Sequence, residues 1–396
     1  MLFEVLLVVT CIPVLACSGY LFGLTLLSAR QRARGVPPPT TRFVAVIPAH
    51  DERLNIAGTV ESLLSADYPE LLRRVLVVAD NCTDDTADRA REAGAEVLVR
   101  DDASKRGKGY ALAAAFQRVL EQGDADAVVV VDADTRVTSN LLLAFAGRLQ
   151  SGAHAVQAGN AVGNPGASWR TRLMTIAFAL FNGLRSLARD RARVSCGLRG
   201  NGMALSTSIL REVPYDAFSL VEDLEYGVRL GQAGHRVWYA GEATVLSEMV
   251  TTERASRSQR RRWEEGRRRL ARAVAPRLVL DGLLKRSLLE LDLAADLLVP
   301  PLSFLCLVAL AGLATSGGAW VRGYVGWQPM VAWGACAVML MSYVARGVFL
   351  SGAGLRGFVD LATAPAYVAW KLALRFRGQR KDGGWVRTSR EGEAKP

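Results

Sequence analysis

The sequence predicts an α/β fold: a mostly parallel sheet with helices packed on it, placed between apolar helices at both ends. Three observations carry that prediction. Four short runs rich in β-branched residues alternate with helical segments between Phe43 and Asp134, the pattern of right-handed βαβ units. Polar clusters close three of the runs, at His50-Asp51-Glu52, Asp80-Asn81 and Asp132-Ala133-Asp134. Uncharged runs at 5–29, 297–321 and 323–345 are each long enough to cross a hydrocarbon layer of ~30 Å.

Taken in order, residues 5–29 predict an uncleaved transmembrane anchor. A secretory signal wants a positive n-region, but the one early charge is Glu4, and Arg30, Arg32 and Arg34 follow the run instead. The positive-inside tendency then leaves the N-terminus outside and Arg30 in the cytoplasm. "RFVAVIPAH" (42–50) is the first strand, followed by "LNIAGTVESLL" with helical spacing. "RRVLVVAD" (73–80) is the second strand, and "DDTADRAREAG" a helix that stops at Gly94, with Asp84 and Asp85 as its N-terminal acids. "AEVLVR" (95–100), "GYALAAAFQRVLEQG" and "DAVVVVDAD" (126–134) supply the third strand, a helix and the fourth strand. Ligands of such sheets bind beyond the carboxyl ends of the strands, where the polar clusters fall.

Segment 168–193 is apolar with arginines at both ends. Arg172 and Arg185 leave twelve uncharged residues between them, too few to cross, so an interfacial helix lying on anionic headgroups is expected. The chain thus divides into an anchor (1–29), a sheet domain (40–253), a basic interfacial segment (254–290) and two spans (291–346). A segment at 347–376, interrupted by Asp360, Pro365 and Lys371, is expected to be interfacial or re-entrant, and 377–396 a basic cytoplasmic tail.

Charge is unevenly placed. The net charge is +11, yet residues 254–286 alone hold twelve Lys/Arg against three acids, and the tail from Lys371 holds eight against three. Basic faces beside spans suit a membrane surface, and Arg267–Arg272 are expected to serve it. With no recognition-helix motif and no RNP-like aromatic strand, no nucleic-acid partner is expected. The six cysteines are scattered without a C-x-x-C, which argues against a disulfide framework or a zinc site and for a reducing cytoplasm.

No G-x-G-x-x-G or Walker A loop follows the first strand, so phosphate must be handled without a glycine cradle. Asp132 and Asp134, directly after "VVVV", offer two carboxylates that can hold a divalent cation against a nucleotide's phosphates. Asp223 sits in "VEDLEYGVRLGQAG", an amphipathic helix whose early acids also suit the helix dipole.

Seven motifs in order, "IPAHDE", "VVADNCTDDT", "KRGKGYAL", "VVVDADT", "RGNGMAL", "VEDLEYGVRLGQAGHRVWY" and "QRRRW", span about Phe43 to Trp263. They resemble the inverting family-2 glycosyltransferases with a GT-A fold. More narrowly, the chain is similar to the membrane-integrated branch containing cellulose, chitin, hyaluronan and poly-N-acetylglucosamine synthases.

The resemblance implies roles. His50, Glu52 and Asp80 would surround the uracil and ribose of a UDP-sugar, and Lys108 and Asp132 would approach the same nucleotide. Asp132 and Asp134 would hold Mg²⁺ or Mn²⁺. Gly200, Asn201 and Gly202 would line the floor near the acceptor, with Glu222 beside them and Asp223 as general base. Gln259 and Arg262 would approach the pyrophosphate or close the site, and the Trp263 indole would stack against the acceptor sugar. Val221 stands where many relatives have threonine.

The implied activity is inverting transfer from a UDP-sugar to a growing glycan at the bacterial inner membrane, with a cytoplasmic catalytic domain. Processive exopolysaccharide synthesis is favoured by the Q-x-x-R-W motif. Few spans are available to wall a channel, which leaves room for a homo-oligomer, an export partner, or single addition to a lipid-linked acceptor. The rival from another class is a nucleotide-sensing component of an export complex.

Overall fold

The computed structural model describes residues 2–29, 38–249 and 253–362, the side chains of 253–262 excepted. Strand β1 (Phe43–Ala49) lies at the middle of the parallel half of one eight-stranded sheet. It pairs in parallel with β2 (Arg73–Asp80) on one side and β4 (Ala127–Val130) on the other, and β3 (Glu96–Arg100) pairs with β2. The alternation of side chains along β1 explains its double burial. Phe43, Ala45 and Ile47 pack against Ile56, Val60 and Leu63 of α2 (Ile56–Leu64) and Ala90 of α3 (Thr86–Glu92). Val44 and Val46 pack on the opposite face against Leu112, Ala115 and Phe116 of α4 (Lys108–Gln122).

The chain runs outward from β1 to β3 and then returns to β4 on the other side of β1. This reversal is a topological switch point, where a crevice opens beyond the strand ends. Only this half is uniformly parallel. Beyond β4 come β7 (Met203–Ser206), β6 (Ala155–Val162), β8 (Val237–Ser247) and β5 (Thr135–Val137). β7 is antiparallel to both its neighbours, β6 is parallel to β8, and β5 is antiparallel to β8. Helices α5 (Leu141–Gln150) and α8 (Thr207–Glu212) cover the two faces of this half. The fourth strand is shorter than the sequence predicts. Past Val131 the chain leaves the ladder, and Asp132–Asp134 forms a turn between β4 and β5.

Among the described residues, three helices are long and apolar enough to cross a membrane: α1 (Leu2–Leu27), α12 (Leu302–Val321) and α13 (Gln328–Ser351). They share one apolar cluster, including Cys11, Leu21, Leu305, Trp333 and Tyr343. α12 begins five residues later than the uncharged run, after Pro300 and Pro301, because proline suits the flank of a helix rather than its interior. α13 instead outruns its uncharged stretch and continues through Arg346. That guanidinium donates to the Ser28 carbonyl at 2.8 Å and to its hydroxyl at 3.0 Å, so the charge caps the end of α1.

Segment 168–193 forms α6 (Trp169–Phe178), a π-helical stretch (Ala179–Leu184) and α7 (Arg185–Arg191). Two of its arginines, Arg185 and Arg189, are buried rather than turned to a headgroup surface, while Arg191 and Arg193 are exposed. The helix is wedged between the sheet and the spans, with Ile176, Leu180, Leu184 and Ala188 in the spans' cluster. Arg185 pairs with Asp296 at 3.0 Å and Arg189 with Asp292 at 2.7 Å. A guanidinium taken out of water needs a carboxylate, and α11 (Leu288–Leu298) supplies both.

α9 (Glu222–Gln232), α10 (Glu253–Leu284) and α11 pack through Val228, Leu278 and Leu293, with Leu270 and Val274 against them. Arg268, Arg269 and Arg272 are exposed, as expected of a basic face, but Arg267 is not among them. It turns inward to the Asp296 carbonyl, because its position on α10 faces α11. Finally α14 (Arg356–Leu361) is tied back to α6 by an Asp360–Arg172 ion pair of 2.8 Å. The remainder of the expected 347–376 segment and the 377–396 tail lie outside the described residues.

Candidate active site

Strands β1, β2 and β4 each lead to a polar group on the crevice wall, and β3 supplies a partner to one of them. At the end of β1 the His50 ring nitrogen Nδ1 lies 2.7 Å from the Asp80 carbonyl, and Asp51 turns the chain with φ +53°. Asp80 ends β2 and is buried; its carboxylate accepts from Arg100, at the end of β3, and from Asn81 at 3.0 Å. Glu52 accepts from the Asn55 amide at 3.0 Å at the entry to α2.

Lys108 begins α4 just after Gly107, whose φ of +123° favours glycine. Its ammonium donates to Asp132 Oδ1 at 2.5 Å and to the Gly200 carbonyl at 2.6 Å, with Glu222 4.0 Å away. Burial opposes its charge, but Asp132 and Glu222 more than offset that and hold the ammonium above its ordinary value. Asp134 sits two residues on in the same turn, and the Thr135 hydroxyl donates to it at 3.3 Å.

Asn201 fixes this turn. Its side-chain oxygen accepts the Asp132 N–H at 3.1 Å, while its amide donates to Thr135 at 2.8 Å and Ser247 at 2.9 Å. Asn201 is almost wholly buried, and its side chain braces the turn that carries Asp132 and Asp134. The flanking glycines have φ of +75° (Gly200) and +65° (Gly202), a region other residues enter only with strain. A Cβ on Gly200 would lie 3.1 Å from Asp223 Oδ2, so this loop passes directly beside that carboxylate.

Glu222 and Asp223 occupy the first turn of α9. Burial raises the Glu222 carboxyl to about 7, against the pull of Lys108 and with help from Asp223. Burial likewise raises Asp223, opposed by Lys108. A carboxyl held up in this way is suited to accept a proton. Val221, just before them, packs on α10: a Cβ on Gly266 would come within 2.7 Å of its Cγ1. Trp263, 40% exposed, stands on the same helix. Gln259 and Arg262 lie on α10 too, with side chains outside those described.

These groups line one cavity of about 870 Å³. His50, Glu52, Asp80, Lys108, Asp132, Asp134, Gly200, Asn201, Glu222, Asp223 and Trp263 all reach its wall; Gly202 does not. The cavity continues past them to an apolar end formed by Trp169, Leu173, Phe181 and Leu302, where α6 meets the start of α12.

Sequence reasoning missed several wall residues. Tyr110 stacks on Phe218 with ring centroids 4.4 Å apart, and Arg199 and Arg267 enter from the membrane side. Asp292 and Asp296, four apart on an apolar helix, share a face and require cations from elsewhere, but those cations are Arg185 and Arg189, so no local signal marked Arg199 or Arg267. Asp51, Cys82 and Asp84 also converge, but Thr83 engages Asp51 and Thr86 engages Asp84, as expected of acids at a helix N-terminus.

The family described as "Glycosyltransferase like family 2" matches residues 38–266. A beta-monoglucosyldiacylglycerol synthase from Synechocystis is 30% identical over 239 residues, which is 58% of this chain and 48% of that protein. The probable glycosyltransferase YdaM of Bacillus subtilis is 25% identical over 232 residues, 56% of this chain and 54% of that one. The chain thus spans about half the length of these relatives. In structure it is similar to the mannosyltransferase PcManGT from Pyrobaculum calidifontis, solved with GDP-Man and Mn²⁺. That match has a TM-score of 0.56 at 17% identity and covers 90% of this chain and 98% of the other.

Proposed function

The chain belongs to glycosyltransferase-like family 2, and from that membership we propose that it moves one sugar from a nucleotide sugar, a UDP-sugar, to a lipid-borne hydroxyl at a membrane face. The observation that carries this reading is the single cavity, polar at the strand ends and apolar where a candidate span begins. A water-soluble donor suits the first end and an acyl chain the second. The synthase similarity accords with a lipid acceptor.

In this reading Asp223 takes the proton of the acceptor hydroxyl as its oxygen bonds to the anomeric carbon. The bond from that carbon to the diphosphate breaks on the opposite face, and the nucleoside diphosphate leaves with the electron pair. One base suffices for such inversion. His50, Glu52 and Asp80 would hold the nucleoside, and Lys108 would neutralise phosphate. Asp132 and Asp134 would hold Mg²⁺ or Mn²⁺, a hard cation that suits a carboxylate pair. The ammonium already bound to Asp132 marks the position as one built for positive charge. When bound, the cation offsets charge on the departing diphosphate. The exposed bands of the three candidate spans would sit in the bilayer, with the sheet domain on the cytoplasmic side.

Trp263 favours a second reading. An exposed indole on the cavity wall offers a face to a pyranose, as a processive polysaccharide synthase would need. The deciding experiment supplies UDP-sugars and GDP-sugars, with Mg²⁺ or Mn²⁺, to the full chain in nanodiscs, and the lipid fraction is weighed by mass spectrometry. One glycolipid, lost on chelation, is expected. A ladder of products would establish the processive reading, and no nucleotide release from any donor would sink both.

A further inference from the structure

Four arginines and two carboxylates meet behind the apolar end of the cavity. Arg185 and Arg189 have direct partners: Arg185 Nη1 lies 3.0 Å from Asp296, while Arg189 lies 2.7 Å from Asp292 and 3.2 Å from Asp296. Arg199 and Arg267 do not share this arrangement. Arg199 donates only to a carbonyl, that of Cys196, at 3.0 Å. Arg267 donates to the Asp296 carbonyl, and its nearest carboxylate oxygen, on the same residue, is 3.8 Å away.

Both leave a buried N–H without a partner, Nε of Arg199 and Nη1 of Arg267, and Arg189, ion-paired through its other nitrogens, leaves Nη2 unfilled beside them. A buried guanidinium donor left unmade is costly, and a structure that keeps three of them in one cluster calls for an acceptor there. Of the three side chains, Arg199 and Arg267 are the two with no ion pair closer than 3.8 Å among the described residues. Both side chains reach the cavity wall and lie over the same Phe181 ring, at 4.2 and 5.3 Å from its centroid. Burial pulls Arg267 down to about 10 and lowers Arg199, Asp296 being insufficient to hold either up. Arg185 and Arg189, with their own carboxylates, are raised despite burial.

The position of the missing charge is informative. Arg199 precedes Gly200, whose open side faces Asp223, and it helps to hold that carboxylate down. Of the two, Arg199 thus bears on the proposed base, and Arg267 joins it over the Phe181 ring, whereas Lys108 and the Asp132–Asp134 turn serve the donor's phosphates. The other acids on the wall nearby, Glu222, Asp223 and Glu264, include the pair that Lys108 already opposes.

We infer that Arg199 and Arg267 form a subsite for an anionic lipid headgroup, a phosphate diester carried by the acceptor next to its reacting hydroxyl. The inference rests on the lipid-acceptor reading and narrows it: the acceptor is a phospholipid with a free headgroup hydroxyl, rather than a neutral diacylglycerol. Planar guanidinium forks match phosphate oxygens, and Leu173 and Leu302 wall the space beyond them for acyl chains.

Binding tests this without any donor. The full chain in detergent is titrated with short-chain phosphatidylglycerol, short-chain diacylglycerol, glycerol 1-phosphate and UDP with Mn²⁺. Phosphatidylglycerol should bind about ten-fold or more tighter than either diacylglycerol or glycerol 1-phosphate, as expected of charge-assisted contacts joined to apolar ones. Arg199→Gln and Arg267→Gln should each lose about that factor, with UDP affinity unchanged. Arg267→Lys, which keeps the charge, should lose less.

Equal binding of the two lipids by the unmodified chain would overturn the proposal whether or not any variant folds. So would undiminished phosphatidylglycerol binding in the glutamine variants. A parallel loss of UDP affinity would assign the arginines to the donor, and glycerol 1-phosphate binding as tightly as the lipid would assign them to a free phosphate. Because no sugar is transferred in this measurement, a chain that binds the phospholipid but never glycosylates it would refute the proposed function alone.

Discussion

The strand-end half of the cavity and its membrane-side half both pair buried or half-buried charges, but they do so in different ways. At the strand ends each ion pair stands in a partly open crevice, and several partners are shared: Lys108 touches Asp132, Gly200 and Glu222 together. At the membrane side Arg185, Arg189, Asp292 and Asp296 are enclosed by helices, and Asp296 alone answers to Arg185, Arg189 and Arg267. Shared partners in an open crevice can be exchanged when a substrate brings its own charges. Enclosed pairs cannot, because losing one member strands the other in low dielectric. The first half is thus arranged for turnover, and in the second the enclosed pairs lock α7 to α11.

Substitutions can break that division. Asp223→Asn should lower turnover by roughly 10²–10⁴-fold, the range for a lost general base, while nucleotide affinity and the thermal midpoint stay near those of the unmodified chain. Undiminished nucleotide release would remove Asp223 as the base. Asp296→Asn should show the reverse: a loss of about 3–5 kcal/mol of stability, read by denaturant or thermal unfolding in detergent. A wild-type midpoint in this variant would mean that the buried arginines find their charge elsewhere.

A third substitution sharpens the contrast through pH. Glu222 is raised from 4.5 to about 7 by burial, so the folded chain holds a proton there that the unfolded chain gives up. Its stabilising contribution is complete below about 4.5 and fades as pH rises through 7, by at most a few kcal/mol. Glu222→Gln should therefore flatten the decline in thermal midpoint between pH 5 and pH 8. An unchanged slope would place the titration on another group. The smallest effect belongs to Trp263→Ala, which should weaken acceptor affinity about ten-fold or less, the scale of one exposed aromatic contact, and leave donor affinity alone. An equal loss for the donor would move the indole to the nucleotide side.

The same division decides what could be read from the sequence. Strand β2 runs over the expected 73–80, and the polar clusters after β1, β2 and β4 were legible because a parallel sheet sends its strand ends to one place. Asn201 was visible as part of "RGNGMAL", but its hydrogen bonds to Asp132, Thr135 and Ser247 join residues 46 to 69 positions away, which no local pattern encodes. The partners of Arg185 and Arg189 were hidden for the same reason. An apolar helix with arginines at its ends looks amphipathic on a surface until α11, more than a hundred residues later, brings the carboxylates.

The π-helical stretch Ala179–Leu184 adds something the ion pairs alone do not express. A π turn takes up one more residue than an α turn, so everything after it is rotated by roughly 100° relative to an unbroken helix. Trp169 and Leu173 can therefore face the cavity from α6 while Arg185 and Arg189 point at Asp296 and Asp292 from α7. The wide turn acts as a phase shifter between two jobs on one rod. Removing Gly183 from it would leave the side chains of α6 and α7 present and turn one set of them away from its partner.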